Sequence, residues 1–340
     1  MDPVEALSEI AFWLERSLAP SYKVQAFRRA AAAIAPLAPD DVAARARDGR
    51  LRAMAGIGER TAQVIREAVE GLVPAYLEAL RERAEEPLAE GGDGLAALLR
   101  GDLHSHSDWS DGGSPPEEMA RAAQWLGREY LALTDHSPSL AIARGLSAER
   151  LARQLELVAE LNEGYDDGGF RILAGIEVDI LEDGSLDQEP GMLDRLDVVV
   201  ASVHTKLRSL RGAMTRRMLA AVEDRHTDVL GHCTGRLVTG SRGTRPESEF
   251  DAARIFGACA EHRVAVEINS RPERQDPPDA LIREALDAGC LFSIDSDAHA
   301  PGQLDFLQLG AARAEANGVP AERIVTTWPR GALLEWTHRR

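Results

Sequence analysis

From Gly101 onward, short apolar runs rich in β-branched residues alternate with amphipathic stretches of helical period. This alternation constrains the fold more than any other feature of the chain. Strands are expected near 101–106, 130–136, 171–180, 196–204, 228–233, 264–270 and 291–297. Helices are expected between them, for example at 116–126, 148–163, 214–223, 249–261 and 279–288. Strands separated by helices imply parallel pairing through right-handed crossovers. Seven of them favour a closed or nearly closed barrel over an open sheet. The expected class is α/β.

Residues 1–86 follow a different pattern. Apolar residues recur at helical spacing over 4–18, 22–34, 42–51, 61–69 and 74–84, which predicts a small all-α domain. Turns are expected at 19–21, 36–41, 56–58 and 71, and the Pro/Gly-rich segment 87–100 reads as a linker. The second domain then spans 101–340.

Composition narrows the function. The net charge of the 340-residue chain is -17, which argues against indiscriminate coating of nucleic acid. Residues 21–66 nevertheless hold nine Lys/Arg against four Asp/Glu. No apolar run is long enough to span a membrane. The acidic start gives no secretory signal, and three cysteines make no disulfide framework, so a cytoplasmic protein is expected. Nothing in the chain implies an obligate protein partner.

Six of the nine histidines close predicted strands: His104, His106, His136, His204, His232 and His299. Glu177 and Asp297 occupy comparable places. Barrel enzymes gather their chemistry where strands end and loops open. Imidazoles mixed with carboxylates suit zinc, manganese or iron. In His104-Ser105-His106 the period of two points both rings the same way. His226, His262 and His338 read as structural. Lys206 and Arg236 follow ligand-bearing strand ends, and Arg271 follows Asn269-Ser270; these three cations are candidates for neutralising a phosphate.

The segments Asp-Leu-His-Ser-His-Ser-Asp-Trp-Ser-Asp-Gly (102–112), Leu-Thr-Asp-His-Ser (133–137), Gly-Ile-Glu-Val-Asp-Ile (175–180) and Ala-Ser-Val-His (201–204) carry a family resemblance. It continues through Leu-Gly-His-Cys-Thr-Gly-Arg-Leu (230–237), Val-Glu-Ile-Asn-Ser-Arg-Pro (266–272) and Ser-Asp-Ala-His (296–299). Together they resemble the PHP (polymerase and histidinol phosphatase) family, specifically the PHP domain of bacterial family X DNA polymerases. The resemblance implies a distorted (β/α)7 barrel with three divalent ions. His104, His106, Glu177 and Asp297 would hold one ion. Glu177 would bridge to a second, held by His204 and His232. Asp111, His136 and His299 would hold the third. Cys233, beside His232, reads as packing because alternation turns it away.

Lys23, Arg28 and Arg29 in the second helix, and Gly56-Ile57-Gly58 with Arg60, resemble the helix-hairpin-helix domain of the same polymerases. This implies DNA-backbone contact through glycine-turn amides and basic side chains. Two departures qualify the resemblance. The positions matching the family's Schiff-base lysine hold Arg60 and Val64, and arginine does not deprotonate to form an imine. Only the segment 87–100 lies where polymerase fingers and palm would be. The expected activity is therefore phosphoester hydrolysis, as a DNA 3′-5′ exonuclease or 3′-end-processing enzyme, without polymerisation or abasic-site cleavage. The alternatives are a small-molecule phosphomonoesterase, such as a histidinol-phosphate phosphatase, and a catalytically idle DNA-binding repair scaffold.

Overall fold

A computed structural model of the chain describes residues 1–165, 169–240 and 243–338. The chain divides into two compact units, Met1–Pro87 and Leu88–Arg340.

The first unit is helical: α1 (Pro3–Arg16), α2 (Ser21–Ile34), α3 (Pro39–Arg47), α4 (Glu59–Val69) and α5 (Ala75–Ala84). Asp2 starts α1 by accepting from the amides of Val4 (2.8 Å) and Glu5 (2.9 Å), with Pro3 in the first turn. Leu7, Ile10 and Leu14 of α1 meet Phe27, Ile34, Ile65 and Leu77 in a common core. The helix expected over 42–51 is divided. It begins earlier, at Pro39, and stops at Arg47 because Gly49 takes a left-handed conformation (φ 71°). A 3₁₀ turn over Arg50–Ala53 follows.

The second unit opens with α6 (Asp93–Ala96). The stretch read as a linker is packed: Leu95 and Leu99 are buried in this unit's core, and the Gly92 amide donates to Glu315. Gly92 serves tight packing, since a Cβ there would lie 2.4 Å from the Ala312 nitrogen. The chain continues with β1 (Gly101–Asp102), α7 (Pro116–Trp125), β2 (Tyr130–Leu133), α8 (Ala148–Glu163), β3 (Arg171–Asp179), α9 (Pro190–Leu193), β4 (Val198–Ser202) and α10 (Arg211–Val222). It ends with β5 (Val229–Leu230), α11 (Ala252–His262), β6 (Ala265–Asn269), α12 (Asp279–Asp287), β7 (Leu291–Asp295), α13 (Leu307–Ala316) and α14 (Arg330–His338).

The seven strands are parallel and ordered β1-β2-β3-β4-β5-β6-β7, so every neighbour in space is a neighbour in sequence. β3 pairs with β2 through Arg171–Ala174 and with β4 through Gly175–Asp179. Gly175 permits this change of partner, because a Cβ there would meet Thr134 Cγ2 at 2.9 Å. Period-2 alternation sorts side chains to two faces. Val198 and Val200 join an inner cluster with Leu333 and Trp336 of α14, while Val199 and Ala201 join the outer core under the helices.

Side chains close the barrel between β1 and β7. The Leu103 amide donates to Asp295 Oδ1 (2.8 Å), the Ser296 amide donates to Asp102 Oδ1 (3.2 Å), and Ser105 bridges Ala298. Burial pushes the Asp102 carboxyl up to about 6. Burial, with Asp102 nearby, pushes Asp295 well above the usual carboxylate range.

Several strands end before the histidines expected to close them. β1 stops at Asp102, β2 at Leu133 and β5 at Leu230. At the barrel mouth, backbone amides turn from the ladder to side chains, as where the Ser105 amide donates to Thr134 Oγ1 (3.0 Å). The histidines therefore sit on the first residues of the mouth loops.

Candidate metal centre

The nine residues singled out from sequence converge at the mouth. Glu177 is 1% exposed on β3, and five imidazoles point at its two oxygens. Oε1 lies 2.9 Å from His232 Nε2 and 3.2 Å from His204 Nε2. Oε2 lies 2.8 Å from His136 Nδ1, 3.4 Å from His104 Nε2 and 3.7 Å from His106 Nε2. His106 Nε2 is also 3.4 Å from Asp297 Oδ1. Further out, Asp111 Oδ1 lies 3.4 Å from both His136 Nε2 and His299 Nε2.

Among the described residues, four groups have ligand atoms close enough together for an ion: His106 with Asp111, His136 and His299; His104 with His106 and Asp297; His104 with Glu177 and His232; and His136 with Glu177 and His204. The partition differs in detail from the one the family resemblance implies. His204 and His232 approach Glu177 with different imidazole neighbours, and His106 contributes to the Asp111 group.

The chemistry of these donors fits cations. His104 Nε2, both nitrogens of His106, His204 Nε2 and Glu177 Oε2 are buried without a hydrogen-bond partner. Buried nitrogens and oxygens left bare are costly unless something binds them. Burial would raise the pKa of Glu177, but His204, His104 and His136 outweigh it and hold the carboxylate well below its usual range. Asp297 is likewise held well below its range, with Arg274 and Arg271 overcoming burial. Burial, reinforced by His299 and His136, pushes His106 well below the usual imidazole value and keeps it a neutral donor. His136 goes the other way, to about 10, because Glu177 and Asp111 overcome its burial.

Other groups hold the donors in place. Glu267 Oε1 stands 2.6 Å from His104 Nδ1, and its other oxygen accepts from the His232 amide. Asp179 pairs with His204 Nδ1. Asn269 Nδ2 donates to Asp297 Oδ2 (3.0 Å), and Arg274 Nε lies 2.9 Å from the same oxygen. Carboxylates behind imidazoles fix the tautomer and ring orientation. Sequence reasoning passed over Glu267, Asp179 and Arg274. The available signal was an acid inside an apolar strand, in Val-Glu-Ile-Asn (266–269) and Glu-Val-Asp (177–179).

The three candidate phosphate cations separate. Arg271 reaches the centre, with Nη1 3.1 Å from His299 Nδ1 and 3.7 Å from Asp297 Oδ1. Arg236 instead donates to the carbonyls of Arg274 (3.2 Å) and Gln275 (2.9 Å) and pairs with Glu247 (3.1 Å). Its guanidinium braces the loop after β6. Lys206 is 64% exposed, 4.0 Å from Glu182. A cavity of about 470 Å³ borders the centre at Asn269 and Arg271 and also takes in Arg236 and Arg313. These three arginines already face acids: Glu247, Glu273 and Asp279. Cys233 is buried in the core, and burial followed by Asp276 pushes its thiol well above the usual value.

In the helical unit, Lys23, Arg29, Gly56, Gly58 and Arg60 are exposed. Gly56 has φ 86°, and Arg60 lies over the Tyr76 ring at 5.0 Å from its centroid. The Gly58 amide donates to Thr61 Oγ1 (2.9 Å). Arg28 corrects an expectation. Its Nε and Nη2 donate to both oxygens of Glu15, at 2.8 and 2.9 Å. The two side chains are 14% and 5% exposed, so this guanidinium is committed inside the unit.

Residues 102–271 match the PHP domain model, and residues 1–71 match a helix-hairpin-helix domain. The chain belongs to the PHP domain family. It is 35% identical over 227 residues to the DNA polymerase/3′-5′ exonuclease PolX of Bacillus subtilis, covering 67% of this chain and 39% of that protein. It is 29% identical over 250 residues to a probable phosphatase of Aeromonas hydrophila, covering 70% of this chain and 94% of the relative. Among solved structures, a histidinol phosphate phosphatase from Lactococcus lactis, complexed with zinc, L-histidinol and phosphate, aligns with a TM-score of 0.46 at 19% identity. That alignment covers 65% of this chain and 94% of the other.

Proposed function

We propose that this chain is a metal-dependent phosphoesterase that acts on DNA, as a 3′-5′ exonuclease or 3′-end-processing enzyme in repair. The observation that carries the hydrolytic reading is the set of buried donors converging on Glu177, several of them without hydrogen-bond partners. Three divalent ions, zinc, manganese or iron(II), are assigned to His104, His106, Asp111, His136, Glu177, His204, His232, Asp297 and His299. Divalent ions at such a site supply Lewis acidity toward a phosphoryl oxygen and a hydroxide nucleophile at neutral pH. The chain's own groups do the rest. Glu267 and Asp179 orient His104 and His204, and Arg271 and Arg274 offer positive charge to the phosphate beside Asp297.

DNA as substrate is supported by a helix-hairpin-helix match on the same chain as the PHP match. Lys23, Arg29, Gly56, Gly58 and Arg60 are proposed to meet the DNA backbone. The phosphatase relative, which this chain matches over nearly its whole length, favours a second reading as a small-molecule phosphomonoesterase. An idle scaffold is the weaker alternative, because every family ligand position is filled. A cytoplasmic location is supported by three buried cysteines, none of them in a disulfide. Among the described residues no helix is long and apolar enough to cross a membrane.

The deciding experiment compares protein loaded with Mn²⁺ or Zn²⁺ on end-labelled DNA and on histidinol phosphate. Metal-dependent release of 3′-terminal nucleotides supports the DNA reading. Turnover of histidinol phosphate alone selects the second reading, and turnover of neither favours the scaffold.

A further inference from the structure

Asp111 is unlike the other donors. Its side chain is 37% exposed, and it rides on the 107–112 loop rather than at a strand end. A carboxylate on a mobile loop would lose conformational entropy on binding an ion. Here the loop is held from two sides.

On its donor side stands Asp135, buried at 1%. Its carboxylate accepts from the Ser107 amide (2.8 Å), Ser107 Oγ (2.6 Å), Ser110 Oγ and Gln154 Nε2 (2.6 Å). On its acceptor side stand two guanidiniums. Arg144 Nη2 donates to the carbonyls of Asp108 (2.9 Å) and Ser110, and Arg150 Nη2 donates to the carbonyl of Trp109. Arg150 Nη1 also donates to the carbonyls of Arg144 and Gly145 (3.2 Å), which ties the two arms together. Arg144 has φ 58°, a left-handed conformation that costs a non-glycine residue energy. Three consecutive loop carbonyls and both loop hydroxyls thus face charged side chains, immediately before Asp111.

We infer that Asp135, Arg144 and Arg150 are positioning residues that preset Asp111, so that one ion's affinity depends on groups that do not touch it. The inference rests on the proposed reading of the His106, Asp111, His136 and His299 group as an ion site. The other donors stand at strand ends or on the mouth residues just beyond them, whereas in the 107–112 loop the two arginines hold the 108–110 carbonyls that lead into Asp111. Losing the frame should therefore weaken one ion and spare the rest.

The test is equilibrium dialysis of the full chain against Mn²⁺ alone, with elemental analysis and circular dichroism on each variant. Asp111→Ala should lose one ion per chain. Arg150→Ala should weaken that same ion by ~10–100-fold, and Arg144→Ala, at an exposed side chain, should act in the same direction. Arg150→Lys should restore part of the loss. Arg153→Ala, one turn along α8 at a 63% exposed side chain, should change nothing. Combining Asp111→Ala with Arg150→Ala should give no further loss, whereas a merely structural role would weaken every ion in both backgrounds. If Asp111→Ala removes an ion and neither arginine variant affects it, the frame is refuted and the ion site stands. If Asp111→Ala removes none, the reading of the ion site falls and takes the frame with it.

Discussion

The barrel and the helical unit use charge in opposite ways. In the barrel, His104, His106, Glu177 and Asp297 are almost wholly withdrawn from water, with Glu267 behind His104 and Asn269 and Arg274 behind Asp297. In the helical unit, Lys23, Arg29 and Arg60 stand in solvent, and the one basic candidate that is largely buried, Arg28, is neutralised by Glu15. Bond-breaking chemistry needs donors preorganised in a site that excludes water. Reading a phosphate backbone needs cations that can exchange their counterions for phosphates. Burial therefore predicts which unit tolerates substitution and which does not.

The comparison breaks first at Glu177. Glu177→Gln keeps the side-chain volume but removes the charge that gathers five imidazoles. Hydrolysis should fall on the order of 10²–10³-fold or more, with loss of bound metal and an unchanged circular dichroism spectrum. Retained turnover at normal metal content would mean that the cluster is not the reactive centre.

The next effect concerns stability rather than activity. Arg28→Ala removes two charge-assisted hydrogen bonds to the buried Glu15 carboxylate and should destabilise the helical unit by about 2 kcal/mol, read by chemical denaturation. Arg29→Ala, at an exposed position, should stay within about 0.5 kcal/mol. Equal costs at the two positions would erase the distinction between them.

How far the sequence disclosed this site depended on the kind of element. Eight of the nine candidate donors were legible because parallel strands deliver their ends to one mouth, whereas Asp111, on a loop, was indicated by the family resemblance alone. Glu267 and Asp179 were missed because an acid within an apolar strand signals burial without naming its partner. Arg236 was hard to place because closeness to His232 in sequence says which loop a guanidinium leaves from and not where it points. It points to the carbonyls of the 271–276 loop. In the helical unit, periodicity gave the helices, but Gly49 interrupted one of them through a left-handed turn that apolar spacing does not register.

A smaller effect sharpens the contrast from the DNA side. Reversing Arg29 and Arg60 to Glu should weaken DNA binding while leaving hydrolysis of a small phosphate ester unchanged. The salt dependence of binding should also become shallower, by ~0.9 log unit per log salt for each duplex phosphate no longer neutralised. Adding Arg28 to the set should bring loss of stability and no further change in salt slope. A slope that responds to Arg28 as strongly as to Arg29 would show that the Glu15 pair opens on DNA.

The smallest expected effect is none at all, on abasic DNA. Cleavage through an imine needs an amine that can lose its proton. Val64 is 1% exposed in the helical core, and Arg60, whose guanidinium lies over Tyr76, is an arginine, a residue type that does not form an imine. Lys23, near the start of α2, is the one lysine among residues 1–87. It is exposed, whereas lysines that attack carbonyl carbon are activated by desolvation in an apolar pocket or by a second cation beside them. Borohydride should therefore trap no covalent adduct between this protein and abasic DNA, even where the same preparation removes terminal nucleotides in the presence of metal. An adduct that vanishes in Lys23→Ala would overturn this, and would move covalent chemistry into the unit whose charges otherwise serve only contact.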